Sequence, residues 1–144
     1  GDADHAGHDQ DAVGGQRVVH LGQGDGELQR ARAELGPQAL IGRTCHASLE
    51  LVQQAASEGA DYASIGAIYS SSTKPQALPA SVDCVQQASR LGVLPICAIG
   101  GIEAQHLPEL RRAGAQLVAV CGSVLRAAQP LRAAQNLVRS WADG

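Results

Sequence analysis

The sequence predicts an α/β fold built on a parallel sheet, and three observations predict it. Short apolar runs rich in Val, Ile and Leu recur along the chain from residue 18. Amphipathic stretches separate them, most of them closed by a glycine. The repeat, roughly 22 to 32 residues, has the length of a strand, a crossover helix and their loops. Near-continuous apolar runs mark strands buried on both faces, as in parallel sheets. Periodicity alone leaves two architectures open, a doubly wound sheet and a (β/α)8 barrel.

Each element follows in order. The first strand covers 18–21, and the helix at 27–35 stops at Gly36-Pro37. The second strand covers 39–44, with a helix at 48–58 ending at Gly59. A third strand at 63–69 leads to a helix at 82–91 that ends at Gly92. The fourth strand, 95–99, precedes a helix at 104–113 closed by Gly114. The fifth strand, 117–120, precedes a helix at 131–141 that follows Pro130, a residue suited to a first turn. Glycine marks the stops because it enters the left-handed region without a Cβ clash.

A chain of 144 residues allows one domain. Its formal charge is −3, with 11 basic residues spread along it, and the aromatics are Tyr62, Tyr69 and Trp141 alone. Neither a basic footprint nor a stacking platform for bases is present, so nucleic acid is not an expected partner. No apolar run reaches the roughly 18 residues that span a bilayer, and no basic-then-apolar leader opens the chain. The expected setting is cytoplasmic, with no membrane contact. Cys45, Cys84, Cys97 and Cys121 form no C-x-x-C pair and are expected to be reduced and buried as small hydrophobes. The chain contains no Met and opens with Gly1, and five βα units fall short of the roughly 250 residues of a barrel. The expectation is a piece of something longer.

Residues 1–17 crowd Asp2, Asp4, His5, His8, Asp9 and Asp11 into a segment with almost nothing to bury. His5 and His8 could serve a metal, but an irregular, solvated terminus is the favoured reading.

Chemistry in α/β barrels sits where strands end. Those ends carry His20 to Asp25, Gly42 to His46, Gly66 to Pro75, Ala98 to Ile102, and Cys121 to Ser123. Gly100-Gly101 lets backbone N–H groups approach a phosphate, and the loops after the last two strands are the usual phosphate cup. Ser70, Ser71, Ser72 and Thr73 followed by Lys74 supply donors and a compact positive charge. Asp25 could hold Mg2+. His20 reads as structural, His106 as solvated, and Arg43 has no explanation in the sequence.

The series HLGQ-x-D, IG-x-T-x-H, a G-x-IY strand end before STKP, then LPICAIGGI and LVAV resembles thiamine phosphate synthase. The related thiazole tautomerase shares its barrel. The resemblance covers residues 18–140 and implies strands four to eight of a (β/α)8 barrel, making 18–144 a partial barrel domain. It implies Mg2+ as cofactor and two phosphorylated substrates, a pyrimidine diphosphate and a thiazole phosphate. Asp25 matches a metal ligand, and Thr44 a Ser that touches the pyrimidine diphosphate. Ser71 and Thr73 match a Thr-x-Thr on the thiazole phosphate, with Ser72 between them. Lys74 matches the catalytic lysine on the departing pyrophosphate, and Gly101 a glycine at the thiazole phosphate. Cys121 and Gly122 match a pair whose second member is Ser, with Ser123 one residue on. The family's Gln-x-Arg-x-Lys cradle and its Asn-Asp are not in this sequence, and Asp2 is not assigned to that Asp. The runner-up activities are a tautomerase with His46 as proton shuttle, and a non-catalytic half-barrel module. Unpaired sheet edges imply self-association.

Overall fold

The computed structural model describes residues 17–69 and 80–143. Five parallel strands form one sheet: β1 (Val18–Leu21), β2 (Leu40–Thr44), β3 (Tyr62–Ile65), β4 (Ile96–Ile99) and β5 (Leu117–Ala119). The helices are α1 (Leu28–Leu35), α2 (Leu49–Ser57), α3 (Val82–Leu91), α4 (Leu107–Arg112), α5 (Gly122–Leu125) and α6 (Pro130–Ala142). The strand order is β1-β2-β3-β4-β5. That order settles the architecture, because a doubly wound sheet reverses direction partway along. Right-handed crossovers in unbroken sequence put the connecting helices α1 to α4 on one face, and the sheet curls into a half-barrel.

The two faces of the sheet differ sharply. Ile41, Cys45, Ala63, Ile65, Ile96 and Ala98 point to the helices and are fully buried. They meet Leu28 of α1, Val52 and Ala55 of α2, Val85 and Ala88 of α3, and Leu107 and Leu110 of α4. The helical pairs lie three residues apart, the spacing that keeps both on one face. The alternate strand residues line the concave face, where His20, Gly42 and Tyr62 stand in register, as do Ser64, Cys97 and Leu117. On this face Val18 is 57% exposed and Leu117 43%.

Local signals explain the boundaries. Ser48 and Ser81 cap α2 and α3 by accepting the N–H groups of Leu51 and Cys84. Gly92 takes the left-handed conformation after α3, with φ 65°. Most expected boundaries hold to within a residue, and three expectations change further. The third strand stops at Ile65, because the N–H groups of Ile68 and Tyr69 turn to the carbonyls of Ile99 and Gly100. The helix at 104–113 divides into a 3-10 turn, Ala104–His106, and α4, whose first turn contains Pro108. The short α5 lies in a stretch where no helix was expected, since four residues give no periodicity to read. Among the described residues no helix is long and apolar enough to cross a membrane.

Candidate functional site

The carboxyl end of β1 opens into a tight turn. Asp25 N–H donates to Gly22 O at 3.1 Å, and Asp25 Oδ2 accepts from Gly22 N–H at 2.8 Å. This reciprocal pair fixes the carboxylate on an exposed loop at the rim. Two side chains tie the loop to β2. Gln23 Nε2 donates to the Thr44 carbonyl. Arg43 Nη1 donates to the carbonyls of Gly22, at 3.1 Å, and Gly26, at 3.0 Å. Its Nη2 lies 3.6 Å from Glu58 Oε2 at the end of α2. Arg43, unexplained by sequence, therefore clamps both flanks of the Asp25 turn from the helix side, only 8% exposed. The missed signal was its strand phase: between Ile41 and Cys45 a charge is buried and must find partners.

Asp25 suits Mg2+. The ion takes one or two carboxylates and completes its shell with water and substrate phosphates. The described residues contain no cluster of three or more His, Cys, Asp or Glu that would hold a metal by themselves.

On the concave face beside this loop stand His20, Thr44 and Tyr62. His20 Nε2 is 2.7 Å from Thr44 Oγ1, and His20 Nδ1 is 3.2 Å from the Tyr62 hydroxyl. Burial lowers the His20 pKa below its usual value, against the raising influence of the Asp25 carboxylate. His46 lies exposed two residues past Thr44, with φ 52°.

The ends of β3 and β4 are stitched together. Tyr69 N–H donates to Gly100 O and Ile68 N–H to Ile99 O, both at 3.0 Å. Gly66 and Gly100 are required here: a Cβ on Gly66 would sit 2.6 Å from Ile99 O, and one on Gly100 2.5 Å from Ala67 Cα. Ala80 N–H returns to Ala67 O at 2.7 Å, so the described chain leaves and re-enters this rim at neighbouring points. The Tyr69 ring stacks on His106, with centroids 3.6 Å apart. His106 also accepts the Glu103 N–H through Nδ1 at 2.9 Å. It is thus a packed capping residue and not the solvated one expected. Gly101, at φ 62°, is exposed at the same rim.

Past β5, Cys121 precedes the four-residue α5 that opens with Gly122. Ser123 Oγ is buried and has no hydrogen-bond partner among the described residues. Cys121 is exposed and Cys84 half-buried, so only Cys45 and Cys97 behave as the buried hydrophobes expected of all four. Burial pushes the Cys45 thiol up to about 11, with Arg43 lowering it and Glu58 raising it. Ser71, Ser72, Thr73 and Lys74 lie outside the described residues, as do His5 and His8. Asp25, Thr44, Gly101, Cys121 and Gly122 all stand at the strands' carboxyl ends, as expected.

A half-barrel of this order, its glycine turns and polar groups gathered at one rim, defines a protein of the (β/α)-barrel class with its candidate site at the strands' carboxyl ends. The family model for thiamine monophosphate synthase matches residues 11–124. The chain belongs to that family. It is 54% identical over 110 residues to a thiamine-phosphate synthase of Marinobacter nauticus, covering 76% of this chain and 49% of the relative. Identity to the thiamine-phosphate synthase of Saccharophagus degradans is 48% over 106 residues, 74% of this chain and 49% of the relative. The chain spans about half the length of these curated relatives. Among solved structures, thiamine phosphate pyrophosphorylase from Pyrococcus furiosus superposes with TM-score 0.75 at 26% identity, over 88% of this chain and 59% of that one. A 3-hexulose-6-phosphate synthase shares the fold with TM-score 0.66 at 16% identity, over 88% and 62%.

Proposed function

We propose that residues 18–144 supply the thiazole-phosphate side, part of the pyrimidine diphosphate side and one metal carboxylate of a thiamine phosphate synthase. The reaction joins hydroxymethylpyrimidine diphosphate to thiazole phosphate. The carbon–oxygen bond to the diphosphate breaks, pyrophosphate leaves with the bonding pair, and the thiazole nitrogen closes the new carbon–nitrogen bond on the pyrimidine cation. Lys74 stabilises the charge that grows on the leaving group, an electrostatic contribution realised mainly in the transition state. Thr44 holds the pyrimidine diphosphate. Ser71, Ser72 and Thr73 with Gly101 and Gly122 hold the thiazole phosphate, a contribution of position. Asp25 would hold Mg2+, which when bound supplies positive charge to the diphosphate oxygens.

The observation that carries this reading is the stitching of Ile68 and Tyr69 to Ile99 and Gly100. It sets the entry to the hydroxyl-and-lysine segment against the Gly100-Gly101 turn, as one phosphate shared between them requires. The Ser123 hydroxyl, without a partner among the described residues, supports it further, because a phosphate oxygen would satisfy a buried group that is otherwise costly to leave alone. That hydroxyl replaces the one missing from the Cys121-Gly122 slot. Curated relatives bearing the synthase name favour this reading over a tautomerase built on His46.

A crystal of the chain soaked in thiazole phosphate tests it. The phosphate is expected within hydrogen-bond reach of Gly101 N–H and Ser123 Oγ. Phosphate density away from the strands' carboxyl ends would overturn the assignment.

A further inference from the structure

We propose that Tyr62 and His20 form a hydrogen-bond relay that fixes the Thr44 hydroxyl as a donor into the concave face. His20 and Tyr62 are then positioning residues for whatever acceptor Thr44 meets, and the identity of that acceptor as the pyrimidine diphosphate rests on the function proposed above.

The relay crosses three strands. His20 of β1, Gly42 of β2 and Tyr62 of β3 stand side by side in register. Gly42 makes the crossing possible: a Cβ there would lie 2.0 Å from Tyr62 Cζ, inside the phenol ring's own volume. With no side chain between them, the Tyr62 ring lies over Gly42, and its hydroxyl reaches His20 Nδ1 at 3.2 Å. The two rings are close to parallel, at 24°. The other imidazole nitrogen reaches Thr44 Oγ1 at 2.7 Å.

Chemistry gives the chain of bonds a direction. A neutral imidazole has one N–H and one lone pair, and whichever nitrogen accepts leaves the other to donate. A phenol is a far stronger acid than an aliphatic hydroxyl, so Tyr62 rather than Thr44 is the better donor to the lone pair. Tyr62 O–H therefore donates to Nδ1, Nε2–H donates to Thr44 Oγ1, and the Thr44 proton is left to point away from the histidine. The lowered basicity of His20 agrees with a neutral ring at pH 7.

The test is nitrogen-15 NMR of the imidazole rings in the 144-residue chain, with His20→Gln assigning the signal. A protonated Nε2 and a bare Nδ1 are expected at His20. Tyr62→Phe should give a mixture of tautomers with the fold retained, and Gly42→Ala, which displaces the phenol, should do the same. The binding arm uses hydroxymethylpyrimidine diphosphate. Thr44→Val should weaken it about fivefold, as loss of one hydrogen bond does. Tyr62→Phe should weaken it as well, and adding it to Thr44→Val should cost nothing more, because both break one chain of bonds. A protonated Nδ1 in the parent chain, or losses that simply add, would overturn the relay. A fixed Nε2–H tautomer in a chain whose diphosphate binding is unchanged by Thr44→Val would support the relay and sink the assignment of Thr44 to that substrate.

Discussion

Arg43 puts a guanidinium between Ile41 and Cys45, two buried apolar side chains on the face that packs against helices. A buried charge is stable there only because its donors reach the Gly22 and Gly26 carbonyls and its positive charge faces Glu58. The consequence is functional, since those two carbonyls bracket Asp25. Arg43→Met keeps the length and apolar stem but removes the clamp. We expect a loss of about 1–3 kcal/mol in urea unfolding, the range for breaking a buried charged hydrogen-bond set. The sharper readout is hydrogen exchange at the Asp25 amide, whose bond to Gly22 O closes the turn. Faster exchange there in Arg43→Met is expected. Unchanged protection would mean the turn holds itself through Asp25 Oδ2 alone.

At the opposite ends of the strands, Arg32 of α1 and Asp61 before β3 join several elements. Arg32 donates to the carbonyls of Ala39 and Gly59 and to Asp61 Oδ2, which also accepts the Ile41 N–H at 2.8 Å. Burial pushes the Asp61 carboxyl up, but the hydrogen bonds from Arg32 and Ile41 and the Arg32 charge outweigh it and leave it below its ordinary value. A carboxyl lowered in the folded state binds fewer protons than in the unfolded chain. Its stabilisation is complete above the unfolded value, near pH ~3.9, and is lost as pH falls through the lower folded value. Asp61→Asn should therefore cost about 1–2 kcal/mol at pH 7, and the gap from the parent chain should narrow as the medium is acidified below pH ~4. A gap constant down to strong acid would assign the effect to packing instead. Such junctions show which features the sequence carried. Strands and helix stops were legible because apolar runs and terminal glycines are local signals, and the end of α3 at Gly92 falls as expected. The rim residues Asp25, Thr44, Gly101, Cys121 and Gly122 were legible through their position after strands. The end of β3, the partners of Arg43, the stacking of His106 on Tyr69 and the reach of Tyr62 across Gly42 were not. Each depends on an atom far away in the chain, and no periodicity encodes it.

Across the whole molecule, the helix-covered face is closed and the concave face is open. Among the described residues β1 pairs only with β2, and β5 only with β4. Both edge strands therefore present unpaired backbone N–H and C=O groups, the arrangement that templates pairing with another chain. The side chains next to those edges reinforce it, since Val18 and Leu117 both stand on the concave face and remain 57% and 43% exposed. In a closed barrel such positions fill the interior in layers. Here they are wet, while Ile41 and Ile96 on the other face are sealed to within 1%. Burying a few hundred Å2 of this apolar surface would contribute several kcal/mol at roughly 25 cal/mol per Å2, comparable with the whole stability of a small domain. Residues 1–144 expressed alone are accordingly expected to self-associate, edge to edge or concave face to concave face. Light scattering over a dilution series should show a mass that falls with concentration. Val18→Lys with Leu117→Lys should shift the equilibrium toward monomer, because a charge on each edge makes pairing costly while leaving the helix-packed core untouched. A monodisperse monomer with a cooperative melt in the parent chain would show that the concave face needs no cover, and the open edges would then be tolerated by the core that α1 to α4 seal behind them.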